Sequence, residues 1–161
     1  MTDREATAYH EAGHGIAALA LGVMLDELTI DGGHGWLGRC YHRRCTSEQQ
    51  GIIIAAGPIA EQRYNGKVPV DTWRGDFRRL TQYSKQVAGP SASAQAKVIS
   101  GWQRRAREIL DATWPEVETF ARLLARHGKV DFRHLHKAPE PHVSHRRPVH
   151  RPAMFFRLKR R

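Results

Sequence analysis

A glutamate and two histidines interrupt an otherwise apolar stretch, "AYHEAGHGIAAL", Ala8 to Leu19. His10-Glu11-Ala12-Gly13-His14 fits the H-E-x-x-H pattern. On a helix, positions four apart lie about 40° apart around the axis, so both imidazoles can meet one ion. Glu11 cannot easily be a third ligand beside them, but it can reach a water at that ion. Zinc there would acidify the water toward a pKa of about 7 and polarise a carbonyl. Glu11 would take the water's proton and deliver it to a leaving amine. The chemistry expected is peptide-bond hydrolysis. A plainer reading of the same residues is two partly exposed histidines on a surface helix, and the stretch alone leaves both open. A catalytic zinc site also wants a third protein ligand and an open fourth position. No His or acid stands at the nearby downstream spacing of the compact zinc proteases. Gly13 is a further oddity, since glycine inside a helix costs about 1 kcal/mol relative to alanine. Close approach of another backbone segment would account for it.

The elements that must position these residues are mostly helical. Thr2-Asp3-Arg4-Glu5 is a capping-box pattern, and the helix it opens should end near Gly22. Leu28 to Asp31 and Trp36 to His42 flank "DGGHG", which predicts a short hairpin. Thr46-Ser47-Glu48-Gln49 opens a second helix through "GIIIAAGPIAEQRY", bent at Gly57-Pro58 and ended by Asn65-Gly66. "VPVDTW" is expected to be a loop. "GDFRRLTQYSKQVAG" then follows as a helix with Asp76 near its start. A long helix is expected over Ser93 to Ala112, and another from Trp114-Pro115 to Gly128. "VDFRHLH" is expected to close the domain as a short turn. The fold class predicted is mainly α with a small β-hairpin.

Composition narrows the context. The chain has 161 residues, enough for one domain with a single sizeable core. No apolar run reaches the roughly 18 residues that span a bilayer, so no transmembrane segment is expected. The first residues carry acids and histidines where a signal peptide would be basic and then apolar. The expected location is therefore cytoplasmic. Cys40 and Cys45 are too few for a disulfide framework and are expected as free thiols. From Lys137 to Arg161 there are eight Lys or Arg and one Glu, so this stretch carries +7 of the net +10. Its prolines, arginines and histidines predict a disordered tail, which sets the domain at residues 1–136 and the tail at 137–161. Such a tail could meet nucleic acid, an anionic membrane surface or an acidic partner, or could simply be solvated.

Several segments, taken in order, resemble the FtsH-type zinc peptidases, the peptidase module of membrane AAA+ proteases. "TAYHEAGHGIAALALG" resembles the active-site helix of that family, and "LTIDGGHGWLGRCYH" the short strand segment after it. "GIIIAAGPIAEQRYNG" resembles its helix with a small-small-x-x-Ala-Glu core. "GDFRRLTQYSKQVAG" resembles its Asn-Asp-Leu-x-x-Ala-Thr helix, and "AREILDATWPEVETFARLLARHGKVD" its late helical pair. The likeness covers about residues 4 to 135. It implies an FtsH-like peptidase fold and zinc (Zn2+) held by His10, His14 and Asp76, with Glu11 as general base. It also implies a role for Glu61 in orienting a ligand histidine. The sequence departs from the family where Pro58 follows the two small residues and where Gly75 precedes Asp76. There is no GxxxxGK[ST] loop, so the resemblance does not extend to ATP use by this chain.

The function expected is a zinc metalloendopeptidase acting on peptides or unfolded polypeptides. A separate AAA+ ATPase would be a natural partner, and the family's rings make a homo-oligomer an option. The competing reading is a non-catalytic adaptor of the same fold that works through its basic tail. Two further features bear on the site. The strand Trp36 to Tyr41 could pair with an extended substrate or be a plain structural hairpin. Cys40, His42 and Cys45 are poor candidates for a second metal site, because neighbours on a strand point to opposite faces.

Overall fold

The structure, a computed structural model, describes residues 3–32, 38–66 and 70–133, without the side chains of Asp3 and residues 70–73. Thr2, His34, Trp36, Pro69 and the whole basic tail lie outside the described residues, as does the expected domain boundary at 136/137. Five helices and three strands follow in the order α1 (Asp3–Ala20), β1 (Leu25–Thr29), β2 (Arg39–His42), α2 (Ser47–Asn65), α3 (Val70–Ala88), α4 (Ala92–Ala112), α5 (Trp114–His127) and β3 (Lys129–Asp131). None of the described helices is long and apolar enough to cross a membrane.

The helix ends follow local chemistry. α1 stops in a Schellman motif: Gly22 is left-handed at φ 72°, Val23 donates to the Ala18 carbonyl, and Gly22 donates to Leu19. α2 opens on a complete capping box, with the Thr46 hydroxyl taking the Gln49 amide and the Gln49 side chain returning to the Thr46 amide. It runs through Pro58 without ending and stops at Gly66. α5 begins with Pro115 in its first turn, where a missing amide costs little.

Two expectations are corrected. "VPVDTW" is not a loop throughout, because α3 already begins at Val70 and Asp76 falls in its second turn. The β-branched residues and Gly75 disfavour helix locally, but propensity is a weak force beside packing against α2 and α4. Nor does "VDFRHLH" begin as a turn, although its residues 134–136 lie outside the described residues. Lys129–Asp131 forms β3, which pairs antiparallel with β1 (Leu28 against Val130). The hairpin is therefore part of a three-stranded sheet ordered β2-β1-β3. A three-residue strand has too little alternation to announce itself; it forms because α5 delivers it beside β1, where the Ile30 amide donates to the Gly128 carbonyl at 2.7 Å.

α2 is the central helix, buried from Gln50 through Ala60 except at Ile59. α1 lies along it, and the two share the most extensive interface of the fold. Small residues make the approach close. A Cβ on Gly13 would stand 2.6 Å from the Ala60 Cβ and 2.8 Å from the Ala56 carbonyl oxygen, inside any tolerable contact. This is the backbone approach that the odd glycine required. Leu25, Leu28, Ile53, Ile54 and Leu110 fill the core around this crossing, each contributing about 1.5–3 kcal/mol by burial. Trp102 is buried and packs over Gly51, while Trp114 stacks on Tyr9 and under the Arg63 guanidinium.

Candidate metal centre

His10 and His14 stand on the face of α1 turned toward α2 and α3. His14 is buried, and the His10 side chain is only 12% exposed. They are not surface histidines. Each imidazole uses Nδ1 to hold its orientation. His14 Nδ1 lies 2.7 Å from the Ile53 carbonyl oxygen, and His10 Nδ1 lies 2.8 Å from Glu61 Oε2. Glu61 is itself buried on α2. Both rings therefore turn Nε2 toward Asp76 on α3, with the ring centroids 4.7 Å apart and nearly perpendicular. Asp76 Oδ2 is 2.9 Å from His10 Nε2 and 3.4 Å from His14 Nε2.

These three residues could hold a metal ion, since one ligand atom from each lies within 4.8 Å of the other two. The protonation pattern argues in the same direction. A carbonyl oxygen only accepts, so His14 must donate through Nδ1, and neutral His14 then aims a lone pair at the Asp76 carboxylate. Lone pair facing carboxylate is unfavourable unless a cation or proton lies between them. The spacing also fits. Ligands about 2.0–2.1 Å from a tetrahedral ion would stand about 3.3–3.4 Å apart; the His14–Asp76 distance of 3.4 Å is of that size, while His10 and Asp76, at 2.9 Å, are at hydrogen-bond distance and would part slightly to admit an ion. Orientation of the ligand histidines by a carboxylate and a backbone carbonyl is the usual support of metal-binding imidazoles.

The electrostatics follow from burial and from these contacts. Burial alone would depress His10, but the bonded Asp76 and Glu61 carboxylates override it and raise its pKa to about 10 without an ion. Burial would raise Asp76, and the facing histidines instead hold it well below the carboxylate range. Glu11 is raised above its ordinary value by burial, only partly offset by His14 and His10. It is 5% exposed and lies beneath the backbone at Gly38, where a Cβ would come within 2.6 Å of its Oε1.

The group opens into a cleft of about 570 Å³ between α1, α2, α3 and β2. The sequence-derived residues His10, Glu11, His14, Glu61 and Asp76 all line it. β2 has a strand neighbour on one side only, so among the described residues its other edge is unpaired. Three participants were not anticipated. The Ile53 carbonyl has no sequence signal, because every residue carries one. Cys40 lines the cleft close enough to Glu11 and Asp76 for their charges, after burial, to raise its thiol well above the ordinary value. Arg79 also lines it, and its position three residues after Asp76 on a helix could have revealed it. Cys40, His42 and Cys45 do not converge into a second metal-binding group among the described residues. Instead the Cys45 thiol lies 3.6 Å from Gln50 Oε1, and Gln50 Nε2 lies 3.4 Å from His42 Nε2.

No family model matches the chain, and no curated protein matches it in sequence.

Proposed function

We propose that the chain is a zinc metallopeptidase with an FtsH-like peptidase fold, cutting peptides or unfolded segments of polypeptide. One observation carries this reading. The two histidines of H-E-x-x-H and an aspartate 62 residues beyond the second of them come together in a cleft, with the intervening glutamate buried beside them. The ordered resemblance to the FtsH-type peptidases supports it.

His10, His14 and Asp76 would hold the ion, and Glu61 and the Ile53 carbonyl keep the two imidazoles aimed at it. A bound zinc ion would supply Lewis acidity to the scissile carbonyl and to the attacking water. Glu11 acts as general base, accepting a proton from that water and passing it to the departing amine. Its raised pKa suits the first transfer, because a weaker acid is a stronger base than an ordinary carboxylate. The edge of β2 that is unpaired among the described residues would offer main-chain hydrogen bonds to a substrate running extended along the cleft.

The test is zinc content and cleavage of an unfolded casein-like substrate by the wild type and by Glu11→Gln. The expected result is one zinc per chain in both proteins and a loss of at least about 100-fold in cleavage for the variant. Stoichiometric zinc with no Glu11-dependent cleavage would leave the ion site standing and remove the peptidase.

A further inference from the structure

Three acids line the cleft, and all three belong to the ion site: Asp76 faces the histidines, Glu61 holds His10, and Glu11 lies buried beside them. The other fully charged side chains on its walls are cationic. Arg79 stands on α3, one turn beyond Asp76, and Arg39 stands on β2. Arg79 is exposed and has no carboxylate within 4 Å among the described residues. Arg39 donates to the Tyr41 hydroxyl at 3.1 Å, which keeps it on the strand beside the cleft. Cationic side chains on the walls of a cleft draw a ligand's negative group toward them.

We propose that Arg79, with Arg39 on the second wall, directs this site toward acidic peptides, binding a substrate carboxylate close to the scissile bond. The proposal rests on the peptidase reading above and adds the substrate class to it. A guanidinium fork matches a planar carboxylate with two parallel hydrogen bonds, which favours Glu or Asp over a neutral residue. A densely charged polyanion is the poorer occupant, because Glu11, Asp76 and Glu61 lie within the same cleft and repel it. A single carboxylate on an extended chain can meet Arg79 while its backbone lies along β2. The carboxylate can come from a side chain or from a free C-terminus.

The experiment uses quenched fluorescent peptides, blocked at both ends and identical except for one Glu, Gln or Lys moved through the positions flanking the cleaved bond. A second set carries a free C-terminal carboxylate. Rates are measured with the wild type and Arg79→Glu. Binding of the same peptides is measured by anisotropy with the wild type, Glu11→Gln and Arg79→Glu, so that recognition is read without turnover. Glu peptides should exceed Lys peptides by about fivefold in kcat/KM and in affinity, as expected for a partly exposed charge pair. Arg79→Glu should reverse the order, and added salt should shrink it. A preference confined to the free C-terminal set supports the same contact with the terminal carboxylate as its partner. Equal binding of Glu and Lys peptides, or a preference that survives Arg79→Glu unchanged, overturns the proposal. Cleavage without preference removes this proposal alone. Preferential binding without Glu11-dependent cleavage keeps the recognition and removes the peptidase.

Discussion

Glu11 and Glu61 are both buried carboxylates beside His10, yet their positions give them different tasks. Glu61 touches the Nδ1 of His10 at 2.8 Å, so it would act on a bound ion through the orientation and basicity of His10. Glu11 has no such contact with a ligand nitrogen among the hydrogen bonds described. Glu61→Gln keeps the size and one acceptor oxygen but removes the charge, and should weaken zinc binding by about 10-fold or more. Glu11→Gln should leave zinc affinity within about threefold while removing cleavage. Competition against a chromogenic zinc chelator measures both. Equal zinc loss in the two variants would show that the two carboxylates are not divided in this way. The division was partly legible in advance, because the resemblance to the FtsH-type peptidases implied for Glu61 a role in orienting a histidine. The Ile53 carbonyl that holds His14 was not legible, because only the packing of α1 on α2 decides which backbone oxygen comes within reach.

The elements meet at glycines, and there the sign of a substitution is set by tertiary approach. Alanine in place of glycine inside a helix gains about 1 kcal/mol from propensity alone. At Gly101 in α4 nothing lies within 4 Å of the added Cβ, so Gly101→Ala should stabilise by about 0.5–1 kcal/mol. At Gly57 in α2 the same Cβ would stand 2.4 Å from His14 Cε1 and Nε2. Gly57→Ala should destabilise by about 1–3 kcal/mol as the crowding is relieved, and should lower zinc affinity because the ring that must give way belongs to a proposed ligand, His14. Urea titrations of both variants, with zinc affinity alongside, check the pair; stabilisation by both would mean that α1 and α2 cross elsewhere. Gly13 showed the same principle in the sequence, since a helix-weakening residue within H-E-x-x-H asks for a neighbour. The capping box at Thr46 and the stop at Gly66 were legible because their signals are local. The early start of α3 was hidden by β-branched residues and a glycine whose helix depends on what packs against it. β3 was hidden because a strand of three residues has its reason in β1, about 100 positions away.

At the scale of the whole molecule the candidate site joins α1, α2 and α3, so its protonation is coupled to folding. The ordered set of motifs, and not any single one, made that assembly legible: H-E-x-x-H placed two ligands, and only the resemblance pointed to Asp76, which spacing alone could not single out. Without an ion, His10 is held as the cation by Glu61 and Asp76. Its folded pKa of about 10 lies above the ordinary 6.5, so its contribution to stability is complete below about pH 6.5 and fades as the pH rises toward 10. Asp76 is shifted downward from 3.8, so its contribution is present above that value and is lost as the pH falls into the acid range. Chelator-treated protein should therefore be most stable between about pH 4 and 6.5, with a falling melting temperature on the alkaline side. Bound zinc should offset the alkaline trend. It would take the Nε2 position that the proton holds, so binding should release a proton and tighten as the pH rises. At 100 times its Kd, zinc should add about 2.7 kcal/mol, or roughly 10 °C for a domain of this size. That increment should grow from pH 6 to pH 8.5 at a fixed free zinc concentration. Melting curves with chelator and with buffered zinc across this range read both trends. A chelated protein whose stability is flat from pH 6.5 to 9 would contradict the placement of His10 between two carboxylates. A zinc increment that does not grow with pH would contradict the exchange of proton for ion at Nε2.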